Sequence, residues 1–293
     1  MKISSASYHT SKYMVEDDLQ EYDDHCPFCG STKRRNICIV QKEPLISFLH
    51  CSVCQASSAS RMPTESALAE FYEHYYYAPG IKFNAKKYTF DGEARFALHL
   101  YQLLSKHTQK FPSSFSILDF GGGDGSLSYR LAEYLIAQGV ASVQITVVDY
   151  YESIVTSYEP RIIISHSDKL MDQDSQHDLV IASAVLEHLP EAKEYIRLCL
   201  KSVKENGFFY ARTPFMVPLK RILALVRINL DLTYPAHVHD LGQLFWENLF
   251  SSTEFLRNHY LICSQPSIVE SQFNEHFLKT LAAYCLKLPW YVF

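Results

Sequence analysis

No stretch of the sequence runs to eighteen or so uninterrupted apolar residues, and the opening MKISSASYHTSKYMVEDDLQEYDDH lacks an apolar h-region. Neither a membrane span nor a secretory signal is expected, so the chain reads as soluble and cytoplasmic. Basic residues are not in excess: 27 Lys and Arg stand against 32 Asp and Glu, a formal charge of -5. A protein that grips polyanions over a broad face is usually basic, which disfavours a nucleic-acid substrate. Internal repeats and low-complexity tracts are absent as well.

What is there is globular material. Of 293 residues, 47% are hydrophobic and 14% aromatic, enough to bury a sizeable core and to exclude a disordered or collagenous chain. That length allows one large unit or a small module joined to a larger one, and two units are expected.

Four of the 8 cysteines form two pairs, Cys26-Pro-Phe-Cys29 and Cys51-Ser-Val-Cys54. Two CxxC turns separated by about twenty residues present four thiolates to one ion, the pattern of a structural zinc site with no open position for water. A segment of this size cannot hold a hydrophobic core unaided, so the metal is expected to fold it. His25 and His50 precede the pairs and read as surface or supporting histidines. Lys33, Arg34 and Arg35 form a basic knuckle, read as a solvated charge run.

Beyond a break at Ser57 to Pro63, Thr64 caps a helix bearing Leu68, Phe71, Tyr72 and Tyr75 on one face. A second amphipathic helix is predicted from Gly92 to His107. Strands then alternate with helices: Ser116–Phe120, Ser142–Asp149, Arg161–Ser165, Asp178–Ala182 and Gly207–Arg212 read as strands, and Leu127–Gln138 and Ala192–Val203 as helices. Such alternation implies an α/β fold with a mostly parallel sheet covered on both faces. Past Pro214 the alternation stops. There Leu219, Ile222, Leu223, Val226 and Leu230 make one helical stripe of a helix packed on the protein. Expected boundaries are 1–60 for the acidic N-terminus and cysteine module, 61–110 for a helical linker or cap, and 111–293 for the main domain, with an acceptor-side segment at 214–260.

The most informative stretch is Ile117-Leu118-Asp119-Phe120-Gly121-Gly122-Gly123-Asp124-Gly125-Ser126-Leu127, a strand, a glycine turn and a helix start. A phosphate-binding loop would need Gly-Lys-Ser/Thr at the helix start, and a dinucleotide fingerprint would need G-x-G-x-x-G; neither is present. Asp119 and Asp124 would repel a pyrophosphate and favour a ligand carrying an ammonium and a sulfonium.

Asp119, Gly121, Gly123 and Gly125 match the D/E-x-G-x-G-x-G motif position for position. Here the chain resembles the class I S-adenosylmethionine-dependent methyltransferases, and about half of it takes part in the likeness. Asp149, ending Thr146-Val147-Val148-Asp149, resembles the acidic residue that binds the cofactor ribose, two carboxylate oxygens being able to accept from a vicinal diol. Tyr150 adjoins it. Asp168, in Ser165-His166-Ser167-Asp168, resembles the adenine contact, and Ser183 lies in the fourth-strand motif Asp178 to Leu189. Lys204 to Phe209 enters the fifth strand. This resemblance implies a Rossmann-like doubly wound sheet and S-adenosylmethionine as cofactor. The cysteine module ahead of Leu68 to Tyr76 is similar to a bacterial subgroup with a zinc ribbon, many of which act on sugars, glycans or other small metabolites. The end, Pro289 to Phe293, leaves little room for a final antiparallel strand pair.

Methyl transfer needs alignment, exclusion of water and, for a hydroxyl or activated carbon, removal of a proton. His188, after the fourth strand, and His237, His239 and Asp240, in the segment after the fifth, are the candidate catalytic or substrate-contacting residues. Thr213-Pro214-Phe215 is expected at the pocket floor. Tyr72, Tyr75, Tyr76 and Tyr77 either close over the sulfonium or pack a helix. Phe245, Trp246 and Phe250 read as core. The expected function is O- or C-methylation of a small molecule, sugar nucleotide or glycan. Alternatives are an RNA or protein methyltransferase whose ribbon binds the polymer, and a cofactor-binding scaffold without turnover.

Overall fold

The computed structural model describes residues 2–4, 11–77, 92–150, 153–170, 176–225, 227–252, 260–264, 266, 273–274 and 277–292. Along the chain, β1 (Lys2–Ser4), β2 (Arg34–Gln41), β3 (Ile46–Cys51) and β4 (Ser57–Ala59) precede α1 (Glu65–Tyr77) and α2 (Glu93–His107). Then come β5 (Ser114–Phe120), α3 (Ser126–Ala137), β6 (Ser142–Val148), β7 (Ile162–Ser167), β8 (His177–Ser183), α4 (Ala192–Lys201) and β9 (Val203–Arg212). The remainder is α5 (Val217–Leu225), β10 (Asn229–Asp231), β11 (His239–Asp240), α6 (Gln243–Ser251) and α7 (Phe277–Val292).

Two compact units divide these elements, and they interleave along the sequence. One is Met1–Lys82 with Leu186–Lys193 and Thr213–Ser264; the other is Phe83–Val185 with Glu194–Arg212 and Gln265–Phe293. This division cuts across the expected boundaries near 60 and 110.

The second unit holds a five-stranded parallel sheet in the order β7-β6-β5-β8-β9. Its middle strand is the first in sequence, with Leu118 opposite Thr146 on one side and Val180 on the other. Such an order places the topological switch beside β5, where open α/β sheets bind ligands at their carboxyl edge. The strands are apolar because helices cover them. Phe96, Leu100 and Leu104 recur at helical spacing on α2 and join Leu131 and Leu135 of α3 in one core with Ile117, Val143, Ile145, Val147 and Ile181. Each such side chain contributes about 1.5–3 kcal/mol on burial. Among the described residues no further strand pairs beyond β9, and the C-terminal stretch is helical.

The first unit is built on a four-stranded antiparallel sheet, β11-β4-β3-β2. Three strands come from the cysteine module, whereas the fourth, β11, comes from the acceptor-side segment, with His239 opposite Ser58 and Asp240 opposite Ser57. One core joins the two regions: Ile46, Phe48 and Ala59 of the module pack with Val217, Leu230, Leu232, Tyr234 and Val238. The module's shortage of apolar residues is met by borrowing from distant chain.

The helix expected through Leu230 stops at Leu225. Arg227 takes a left-handed φ of 57°, the Ile228 N–H returns to the Leu223 carbonyl at 2.9 Å, and the chain leaves as β10. This closure satisfies the last carbonyls of α5 in the manner of a left-handed C-cap. Leu230 is still buried, at 2% exposure, but as a strand residue; Val226 lies outside the described residues.

Candidate functional site

In the second unit, four adjacent strands end at one edge and carry all eight expected cofactor-side residues. Asp119, Gly121, Gly123 and Gly125 lie at the end of β5 and in the turn after it, Asp149 and Tyr150 follow β6, Asp168 follows β7, and Ser183 ends β8. Gly121, Gly123 and Gly125 have φ of 71°, 59° and 77°, the left-handed region that an L side chain resists. At Gly121 space is also closed: a Cβ would sit 2.5 Å from the Val185 side chain.

Two carboxylates shape this turn from within. The Gly123 N–H donates to Asp149 Oδ2 at 2.8 Å, which fixes that carboxylate against the backbone. Asp124 Oδ1 accepts from the backbone N–H and hydroxyl of Ser126, at 3.0 and 2.6 Å, and so ties the turn to the first residue of α3. Asp119 lies beneath Gly122 and is 1% exposed. Burial pushes its carboxyl up to about 7, the Ser128 hydroxyl opposes that, and Asp149 and Asp124 add to it. Asp119 Oδ2 has no hydrogen-bond partner among the described residues. An unsatisfied acidic group under a glycine turn suits a cationic ligand, which agrees with the reading of the sequence. Asp168 and Tyr150 are exposed, whereas Ser183 is half-buried and accepts from Arg212 Nε at 3.1 Å.

In the first unit the four paired cysteines converge. Cys26 and Cys54 sulfurs are 3.4 Å apart, Cys29 and Cys51 are 3.6 Å apart, and all four lie within 4.8 Å of one another. A tetrahedron with metal–sulfur bonds of about 2.3 Å has its sulfurs roughly 3.8 Å apart, so the set fits one zinc ion. The hydrogen bond with Cys54 pulls the Cys26 thiol down to about 5 and pushes that of Cys54 up. His50 pairs with the Ser57 hydroxyl and stands outside the set. Arg34 is spent on structure: its guanidinium donates to the carbonyls of Asp23, His25, Ser58 and Ala59. Of the basic knuckle, only Lys33 and Arg35 face solvent.

The three histidines first singled out fall into two groups. His239 is 1% exposed, with Nε2 donating to the Leu189 carbonyl at 2.9 Å and Nδ1 accepting from the Ser58 hydroxyl at 3.0 Å. Burial lowers its pKa to about 4, so it is a neutral imidazole whose lone pair is already engaged. Asp240 caps α5, its two oxygens accepting from the N–H groups of Met216 and Val217 at 2.6 and 2.9 Å. Thr213 similarly serves the framework, accepting from Trp246 Nε1 and donating to the Leu241 carbonyl. Phe245 and Trp246 are buried, as expected of core.

His188 and His237 form the other group, with ring centroids 4.7 Å apart. His188 lies on a short 3-10 turn, Leu186–His188, and its Nδ1 is 2.8 Å from the Ala236 carbonyl and 3.0 Å from the Tyr72 hydroxyl. Glu187, 2% exposed, completes a cluster with them. Glu187 is the residue that sequence reading passes over. The dipeptide Glu187-His188 is visible, but its partner His237 is remote in sequence. The side chains of Tyr75, Tyr76 and Tyr77 lie outside the described residues.

Residues 85–257 match the model of a family described as a methyltransferase domain. The chain is also 29% identical over 108 residues to the ubiquinone biosynthesis O-methyltransferase of Hydrogenovibrio crunogenus (strain DSM 25203 / XCL-2), which covers 33% of this chain and 42% of that protein. Among solved structures, it is similar to coclaurine N-methyltransferase bound to N-methylheliamine and SAH, at 14% identity over 64% of this chain and 55% of that one, with a TM-score of 0.38. It is likewise similar to the CurJ carbon methyltransferase, at 14% identity over 61% of this chain and 52% of that one, with a TM-score of 0.41. The chain thus spans 42% of the curated relative and about half of each solved one. The family match covers well over half of the chain and includes the glycine turn with its flanking carboxylates, and with them the protein belongs to the class I S-adenosylmethionine-dependent methyltransferase family.

Proposed function

We propose that the protein transfers a methyl group from S-adenosylmethionine to a hydroxyl or activated carbon of a small molecule, sugar nucleotide or glycan. The observation that carries this reading is the Asp119–Gly125 turn, whose left-handed glycines and buried Asp119 oxygen, without a partner among the described residues, suit a cationic ligand rather than a phosphate. When bound, the cofactor supplies an electrophilic methyl carbon on sulfur. Asp119 and the turn would hold its methionine half, Asp149 its ribose, and Tyr150, Asp168 and Ser183 its remaining edge.

The acceptor falls to His188 and His237. Of the four residues first singled out, these two have ring centroids 4.7 Å apart, whereas both nitrogens of His239 and both oxygens of Asp240 hold framework groups. Cys26, Cys29, Cys51 and Cys54 would hold one structural zinc ion. Such thiolate ligation fits a reducing compartment, the cytoplasm. Use of Arg34 as a backbone fastener weakens the polymer-binding alternative. Incubation with labelled cofactor and a metabolite extract, followed by mass spectrometry, tests the reading: one metabolite should gain one methyl group, and no labelled product from extracts of several sources would refute it.

A further inference from the structure

We propose that Glu187, His188 and His237 bind a divalent first-row transition ion, at a site separate from the four-cysteine cluster. One ligand atom from each lies within 4.8 Å of the others, and all three belong to the first unit. Around an ion with bonds of about 2.0–2.2 Å, such atoms stand roughly 3–3.5 Å apart, so a small side-chain rotation closes the set.

The hydrogen bonds behind the rings set both tautomers for ligation. His188 Nδ1 faces the Ala236 carbonyl at 2.8 Å; a carbonyl only accepts, so Nδ1 carries the proton and Nε2 the lone pair. Nε2 stands 4.0 Å from Glu187 Oε1. For His237 the logic runs through one more residue. The Thr233 hydroxyl donates to the Leu232 carbonyl at 2.7 Å, so toward His237 Nδ1, 2.9 Å away, it accepts. Again Nδ1 is protonated and Nε2 is the basic nitrogen. A ligating imidazole that donates its other N–H to a carbonyl or hydroxyl is the usual supported form, in which orientation and basicity are both fixed.

Two imidazoles and one carboxylate suit zinc, manganese, iron(II) or cobalt, and leave positions open for other ligands.

Cobalt(II) titration of the full-length protein decides the matter. After brief dialysis against a mild chelator, the wild type should retain one equivalent of zinc and take up one of cobalt, with visible d–d absorption and no thiolate charge-transfer band. His237→Gln and Glu187→Gln should bind cobalt at least 100-fold more weakly while keeping their zinc and far-ultraviolet dichroism. Thr233→Val, which touches no ion, should weaken it by about 10–100-fold, the effect of losing a supporting partner. A wild type that takes up no second ion overturns the proposal whatever the variants do, as does a His237→Gln protein that binds cobalt normally. Uptake of the ion by a protein that transfers no methyl group would uphold the site and count against the methyl-transfer reading instead.

Discussion

Phe28, between the two cysteines of the first pair, packs edge-on against the His239 ring, with centroids 4.9 Å apart and planes at 66°. The same phenyl ring meets Phe245 at 4.7 Å, so one side chain of the cysteine knuckle supports two elements of the 214–260 segment. Phe28→Ala is expected to cost about 3–5 kcal/mol, as for other buried phenylalanines. If the four cysteines hold zinc as proposed, removing it should release the same segment. Hydrogen exchange after chelation should rise in residues 236–242 as well as in 26–54, while the Asp119–Gly125 turn keeps its protection.

His239 makes the first unit sensitive to acid. Its pKa falls from an ordinary 6.5 to about 4 on folding because burial disfavours the cation, so the unfolded chain binds the proton more readily. Stability is therefore full above pH 6.5 and is lost as pH falls toward 4, by about 3 kcal/mol in all. Urea melts at pH 7 and pH 4.5 should show this, and His239→Gln should flatten the dependence even though it is less stable at pH 7.

Asp119 acts in the opposite sense. Its carboxyl rises from 3.8 to about 7 in the folded protein, so the cofactor-free second unit loses stability as pH climbs from 4 to 7 and is level above that. At pH 8, Asp119→Asn should stabilise the cofactor-free protein by about 1–4 kcal/mol, the burden of a buried charge. It should also weaken S-adenosylmethionine by about 1–3 kcal/mol through loss of a charged acceptor. Thermal melts with and without cofactor would show the two effects with opposite signs.

Asp149→Ala tests the ribose contact. Its carboxylate holds the Gly123 N–H at 2.8 Å, so the variant loses both the ligand contact and part of the turn's support. Calorimetry should show affinity reduced by about 1–3 kcal/mol, and unchanged affinity would refute the assignment.

Much of this was legible in the sequence, and the reasons are local. The strands from Ser114 to Arg212 alternate with helices at ordinary spacing, and the central pair β5 and β8, buried over most of their length, show as short apolar runs that can be read directly. The cysteine set and the glycine turn are likewise short-range patterns. Pairings across long sequence separation were not legible. Nothing near His239 indicates that it forms an edge strand beside Ser58, or that Asp240 caps a helix more than twenty residues earlier in the chain. A polar His-Val-His-Asp run reads as a pocket lining when its partners are invisible, and only the fold shows which members are engaged. Helix α5 is shorter than its apolar stripe implies, because Leu230 continues the spacing while Arg227 turns the backbone away.

The pairing of β4 with β11 also bears on how the chain matures. His239 meets the Ser58 hydroxyl across 181 residues of intervening sequence, which in synthesis is a delay of roughly 10–40 seconds at 5–20 residues per second. During that interval the cysteine knuckles can be complete, yet one edge of their sheet is unpaired and the apolar face of Ile46 and Phe48 lacks its cover. Early metal capture would let four thiolates hold the nascent module together until its last strand emerges. A ribosome-bound fragment ending before residue 239 should therefore aggregate or recruit chaperones far more than the finished chain, and supplying zinc during translation should raise the yield of soluble full-length protein.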